Sequence, residues 1–207
     1  MLRVVGRRSQ TRLLALAMVA AFALGGCSSL GGLITKSPPP TFDLAAADKF
    51  PRRAGNLRGQ LIVAEPVALA ALDGDRIVVR PRPGETAALS GVQWEDRLPK
   101  LIQARLIQSF ENASMLRRVG RPADKIATDF ALVTTVRAFE ISAADGTAVV
   151  ELAVKIILER TGRIIAARVF RAETPAASTE GAAAVAALNE AFVKVAREIV
   201  VWAARAV

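Results

Sequence analysis

The residue types that most often carry chemistry are sparse in this chain. It has no histidine, no tyrosine and a single cysteine, Cys27. Without histidine there is no Ser-His-Asp triad, no Cys-His pair and no imidazole metal site. One cysteine cannot close an intramolecular disulfide. No G-x-x-x-x-G-K-[ST] loop is present to cradle nucleotide phosphates. The adjacent carboxylates Glu95-Asp96 are the nearest thing to an acid/base pair, but acids just ahead of a helix ordinarily complement its dipole. No catalytic residue, cofactor site or metal site is therefore expected. The chemistry narrows to one thiol, whose purpose its surroundings must explain.

Those surroundings are ordered. Residues 1–12 carry Arg3, Arg7, Arg8 and Arg12 and no acid, and residues 13–24 (LLALAMVAAFAL) are uniformly apolar. Small residues then lead to the cysteine. This is the order of an export signal: a basic start, a short apolar run, a cleavage site. About twelve apolar residues make a helix of roughly 18 Å, too short for a bilayer core of about 30 Å. The segment Leu24-Gly25-Gly26-Cys27 resembles the lipobox of bacterial lipoproteins, with Gly25 where Ala or Ser is commoner. The resemblance implies diacylglycerol on the Cys27 sulfur, cleavage before it and acylation of the new amino terminus. The other reading is an ordinary signal peptide with an incidental cysteine. Two or three acyl chains attach stably, at about 0.8 kcal/mol per buried CH₂. Ser28, rather than Asp, follows the cysteine, which under the enteric sorting rule implies the outer membrane.

The formal charge of +9 is partly temporary. Without the four early arginines, 24 of the 28 basic residues remain against 19 acidic ones. That mildly basic balance suits anionic headgroups or an acidic partner. No aromatic-interleaved basic stripe is present, so nucleic acid is not an expected partner. Residues 28–41 (SSLGGLITKSPPPT) read as a flexible, then proline-rich tether. The expected organisation is a signal over 1–26, a lipidated tether over 27–41 and a folded domain over 42–207.

Hydrophobic periodicity positions the rest. Leu61–Val67, Ile77–Val79 and Leu89–Gln93 read as short strands. Leu98, Leu101, Ile102, Leu106 and Phe110 recur at three and four, predicting an amphipathic helix over 98–113 with Pro99 in its first turn. A three-stranded antiparallel meander is expected over 130–171. In its middle strand, Val150, Leu152, Val154, Ile156 and Leu158 alternate with Glu151, Ala153, Lys155 and Glu159. Asp145-Gly146 and Thr161-Gly162 are the turns. In Phe130–Ile141 the apolar phase shifts from 136 and 138 to 139 and 141, which predicts a bulge. A final helix, capped at Thr179, should bury Leu188, Phe192, Val195, Ile199, Trp202 and Ala206. Glu190, Lys194, Arg197, Glu198 and Arg205 keep it from being a membrane span. The order β-β-(β)-α-β-β-β-α predicts an α+β fold: a mainly antiparallel sheet with both helices on one face.

At this point the chain resembles the ABC-type transport auxiliary lipoproteins, including the PqiC-like lipoproteins. The resemblance rests on the lipobox, on Pro40-Thr41-Phe42-Asp43-Leu44 beyond it, and on the Leu61–Pro66 strand. Its most specific element is Gln93-Trp94-Glu95-Asp96-Arg97-Leu98-Pro99 running into Leu101, Gln103, Arg105 and Leu106. Phe42 stands where the family often has tyrosine. What the resemblance implies is a partner role: an auxiliary lipoprotein working with an ABC ATPase, a permease and MCE-domain proteins that move phospholipid between the inner and outer membranes, supporting envelope integrity.

The expected location is thus the periplasmic face of the outer membrane, held by the lipid on Cys27. The alternative is a structural or assembly lipoprotein of another outer-membrane or cell-wall complex. Trp94 is the candidate partner contact, since tryptophan is enriched at binding hot spots; its competing reading is packing over the start of the 98–113 helix. Arg52-Arg53, Arg80/Arg82 and Arg117-Arg118-Arg121 read either as contacts to phosphates or acidic partners or as solvated charge. The apolar stripe of 188–206 reads as core, and as a homo-oligomer contact only if it is too wide for the sheet to cover.

Overall fold

Alternation along three consecutive strands organises the molecule. In the computed structural model, which describes residues 38–51 and 58–207, these are β7 (Phe130–Ser142), β8 (Thr147–Leu158) and β9 (Arg163–Pro175). They pair antiparallel in sequence order. Glycines at positive φ close both turns, Gly146 at 64° and Gly162 at 67°, where a side chain would be strained. Cys27, the export signal and most of the tether lie outside the described residues, as do Arg52 and Arg53.

Beyond this meander are β1 (Thr41–Phe42), β2 (Leu61–Val63), β3 (Val67–Ala68), β4 (Arg76–Arg80), β5 (Ala87–Trp94) and β6 (Val119–Gly120). The stretch expected as one strand over Leu61–Val67 is two, β2 and β3, parted at Glu65-Pro66. A proline cannot donate to a ladder, so pairing lapses there. The two pieces and β4 run parallel to β7 along its second edge, at Phe130–Leu132, Thr135–Val136 and Glu140–Ser142 respectively. An interrupted parallel strand therefore backs the continuous antiparallel one. β5 returns antiparallel beside β4, and β1 adds to it in parallel. Thr41, the last residue assigned to the tether, is already in a strand.

Two helices cover one face. The first, α1 (Leu98–Phe110), is shorter than expected: wider and tighter turns follow through Arg118, and Ser114 sits at φ 68°, which an α-helix cannot continue through. The second, α2 (Gly181–Ala206), starts two residues after Thr179. Thr179 is not its cap; Glu180 holds that position without a side-chain bond, and Ser178 Oγ instead accepts from the Glu180 amide at 3.1 Å.

The core lies between the helices and the inward rows Leu132, Val136, Phe139 and Ile141 of β7 and Val150, Leu152, Val154 and Ile156 of β8. The β7–β8 register slips between Val136 and Ala138, the expected bulge, and it keeps both halves of β7 facing inward. Leu188, Phe192, Val195 and Ile199 of α2 are buried, joined by Ala184, Ala191, Ala196, Val200 and Ala203, while Trp202 and Ala206 lie at the margin of the stripe. The buried part of the stripe packs within this chain, and Trp202 and Ala206 are only partly covered. No described helix is long and apolar enough to cross a membrane.

Candidate functional site

The most specific sequence motif builds a joint. Trp94 ends β5 with only 1% of its surface exposed. Its ring meets Phe139 edge-on at 5.8 Å, and Phe139 in turn lies 6.0 Å from Phe192 of α2. This column ties β5, β7 and α2 together, a geometry favourable to aromatic pairs. Trp94 therefore does not face a partner; it packs inside, because a large apolar ring gains most where water is excluded. Leu98, Pro99, Leu101 and Leu106 are buried beside it.

The polar residues of the motif hold the outside of that joint. Arg97 donates to Glu65 at 2.9 Å and also to Asp73. The hydrogen bond to Asp73 is the main reason its pKa lies above the ordinary arginine value. Arg105 donates to Asp43 and approaches Glu95 to 4.0 Å. Asp96 accepts from the Arg97 amide at 2.7 Å and lies 3.5 Å from Lys100 Nζ. Glu95 and Asp96 are thus charge partners of neighbouring cations. Gln103 donates to the Val63 carbonyl at 2.9 Å, at the end of β2 where the ladder is about to break.

The same joint grips the segment that leads in from the tether. The Gln93 and Glu95 amides donate to the Pro40 and Phe42 carbonyls at 3.2 and 2.9 Å. The Ala45 amide donates to Asn189 Oδ1 at 2.6 Å, and the Ala47 amide to Ser109 Oγ at 2.9 Å. Asn112 Nδ2 donates back to the Ala47 carbonyl at 2.9 Å. Residues 40–47 are fastened to both helices.

The face of the sheet away from the helices is open, and it divides in two. One end is ionic. Arg80 grips Glu140 through two bonds of 2.7 and 2.9 Å, which raises the Arg80 pKa above its ordinary value. Arg171 bridges Glu173 and Glu151, and Arg137 reaches Glu151 at 3.5 Å. The other end is richer in apolar side chains. The register sets Val67, Thr135, Ala153 and Val169 in one row across β3, β7, β8 and β9. Ile62, Ala131, Ile157 and Ile164 form a second. Val67 is 64% exposed and Ile164 51%. Lys155, exposed on the same face, lies between the two rows.

Of the arginine groups singled out in the sequence, Arg80 and Arg82 pair with Glu140 and Glu85. Arg117, Arg118 and Arg121 are exposed. Sequence reasoning passed over another set. Arg197, Val201 and Arg205 recur at every fourth position of α2, and Arg168 faces them from β9, with Trp202 between. The signal was present in that spacing; its meaning depends on β9, which only the fold brings alongside.

Comparison with known proteins agrees with this architecture. A crystal structure of a Xanthomonas campestris protein from the family labelled DUF330 superposes with a TM-score of 0.72 at 27% identity, covering 81% of this chain and 96% of that one. A second crystal structure, of an uncharacterized protein, shares the fold at a TM-score of 0.60 and 16% identity, covering 77% and 95%. A Bradyrhizobium diazoefficiens protein, also uncharacterized, is 33% identical over 185 residues, 89% of this chain. The chain spans about half the length of that relative, 50%. The family model described as the ABC-type transport auxiliary lipoprotein component matches residues 42–200, from the Phe42 end of β1 into the last turns of α2. The chain belongs to the family of ABC-type transport auxiliary lipoprotein components.

Proposed function

We propose that this protein is a non-catalytic auxiliary lipoprotein of an MCE/ABC-type system that moves phospholipid between bacterial membranes. Lipid on Cys27 holds it to the outer membrane, and its folded domain faces the periplasm. The observation that carries this reading is the family match over 42–200, which takes in nearly the whole folded unit. The match supports a role for the folded domain itself. Two features of the domain support it. Residues 40–47 are clamped to both helices, as a tethered module requires. The open sheet face leaves apolar side chains available to proteins of the transport machinery. The ATPase, permease and MCE-domain protein supply energy and conduit, and this chain contributes a stationed binding surface.

Deletion of the gene tests the reading. Phospholipid in separated inner and outer membranes should change in proportion, and envelope integrity should fall under detergent challenge. Unchanged lipid balance and unchanged resistance would count against it. The anchor is tested separately. Cys27→Ser should leave the chain folded but release it from the outer-membrane fraction after a high-salt wash, and retention there would remove the lipid-anchor element.

A further inference from the structure

We propose that the cleft between the end of α2 and the edge strand β9 binds the phosphodiester headgroup of a glycerophospholipid. The cleft encloses about 410 Å³ and is lined by Arg168, Arg197, Glu198, Val201, Trp202 and Arg205, among others. Arg197, Val201 and Arg205 stand one above another on α2, because residues four apart share a helix face. Arg168 reaches in from β9: it lies opposite Val154, so it points to the helix-bearing side of the sheet. An aromatic stack holds it there. Its guanidinium carbon sits 4.9 Å from the centre of the Phe170 ring, and Phe170 packs edge-on against Trp202 at 5.4 Å.

The charges of this cleft are not consumed internally. Among the described residues, Arg168, Arg197 and Arg205 form no salt bridge, although one carboxylate, Glu198, shares the cleft. Three guanidinium groups against one acid leave a net positive site. The Nε of Arg197 is buried and has no hydrogen-bond partner among the described residues. A buried donor of a charged group is normally satisfied, so the fold leaves this guanidinium without an internal acceptor.

The shape of the set identifies the acceptor. Guanidinium groups match pairs of phosphate oxygens in a planar, two-bond geometry that lysine does not reproduce. The site is half apolar as well: Val201 and the Trp202 indole are partly exposed beside the arginines. An inorganic anion would use only the cationic half. A glycerophospholipid uses both, its phosphate on the arginines and its glycerol and first acyl carbons along Trp202 and Val201. The inference deepens the transport reading, on which it depends for the source of the phosphate and not for the chemistry of the cleft.

The chain contains two tryptophans, so Trp94→Phe leaves Trp202 as the reporter. Full-length Trp94→Phe protein in non-ionic detergent is titrated with dihexanoyl-phosphatidylglycerol, glycerol 3-phosphate, inorganic phosphate and uncharged dihexanoylglycerol. The expected result is a saturable change in Trp202 emission with the phospholipid. Either free phosphate should bind at least about tenfold more weakly, and dihexanoylglycerol should give no saturation. Arg168→Gln, Arg197→Gln and Arg205→Gln should each weaken phospholipid binding about tenfold, the effect of losing one charge-assisted bond. Added salt should weaken it further. Glycerol 3-phosphate binding as tightly as the phospholipid would overturn the lipid source in favour of a soluble phosphate ester. Equal binding of dihexanoylglycerol, no saturation with any ligand, or indifference to all three arginine variants would overturn the site. Native mass spectrometry of the unaltered chain with the same ligands gives the same readings should Trp94→Phe impair folding. Arginine variants that fold and still associate with the transport machinery separate failure of this site from failure of the transport reading.

Discussion

Two sets of arginines beside the two helices are put to opposite uses. At the entry to α1, Arg97 and Arg105 are each held by two carboxylates, Glu65 and Asp73 for one, Asp43 and Glu95 for the other. At the exit of α2, Arg168, Arg197 and Arg205 surround a cleft and form no salt bridge among the described residues. The residue types are the same and both sets lie beside a tryptophan. What differs is whether the chain supplies the anion. Where it does, arginine fastens one segment to another, and the cluster belongs to the fold. Where it does not, the charge is left for something else to neutralise. A motif's specificity therefore does not mark the binding site: the most specific motif of this sequence, around Trp94, is joinery.

The joint is expected to respond to mutation as structure does. Trp94→Ala removes the ring that links β5, β7 and α2 and should cost about 3–5 kcal/mol. Urea unfolding monitored by circular dichroism measures this; a loss below about 1 kcal/mol would mean the joint is not built on that ring. Arg105→Ala frees Asp43 and loosens the 40–47 segment. Both side chains are partly buried, 25% and 33% exposed, so the expected loss is about 1 kcal/mol. Arg105→Lys should restore only part of it, since an ammonium group lacks the planar fork.

The cleft arginines should behave differently. Arg205→Gln should leave unfolding free energy within about 0.5 kcal/mol of the parent, as surface changes without a structural partner do. A loss matching that of Arg105→Ala would erase the distinction between the two sets. A smaller effect sharpens it from inside the core. Thr134 is fully buried on β7, and its hydroxyl has no partner among the described residues. It shares with Arg197 Nε the lack of a hydrogen-bond partner among the described residues. Thr134→Val keeps the shape and removes the orphan group, so stability should rise by up to about 1 kcal/mol. Lower stability would show that the hydroxyl is bonded after all.

Local pattern made the meander legible before the fold was seen. The alternation in β8 reads directly as one buried and one open face. The phase shift between Val136 and Phe139 locates a bulge to within a residue. The start of α1 is equally plain, because Pro99 belongs in a first turn. The parallel backing of β7 by β2, β3 and β4 was not legible, since a period of two tells which side a residue faces and not which strand lies alongside. β1 is two residues long and too short for any period. Trp94 was ambiguous for a related reason: a tryptophan before a helix suits a core and a hot spot equally, and only its burial decides. The cleft needed the fold most. Arg197 and Arg205 read as solvated charges on a helix until Arg168, distant in sequence, closes over them.

The claim that most needs testing is that this domain works as a stationed partner of a lipid-transport machine. The direct measurement is in-cell crosslinking of the full, lipidated chain, followed by capture from solubilised envelopes and identification of what is bound. The account predicts an MCE-domain protein, with or without its permease and ATPase, enriched above a Cys27→Ser control that lacks the anchor. Capture of a cell-wall or other outer-membrane assembly instead, with no component of an MCE/ABC system among the products, would contradict it.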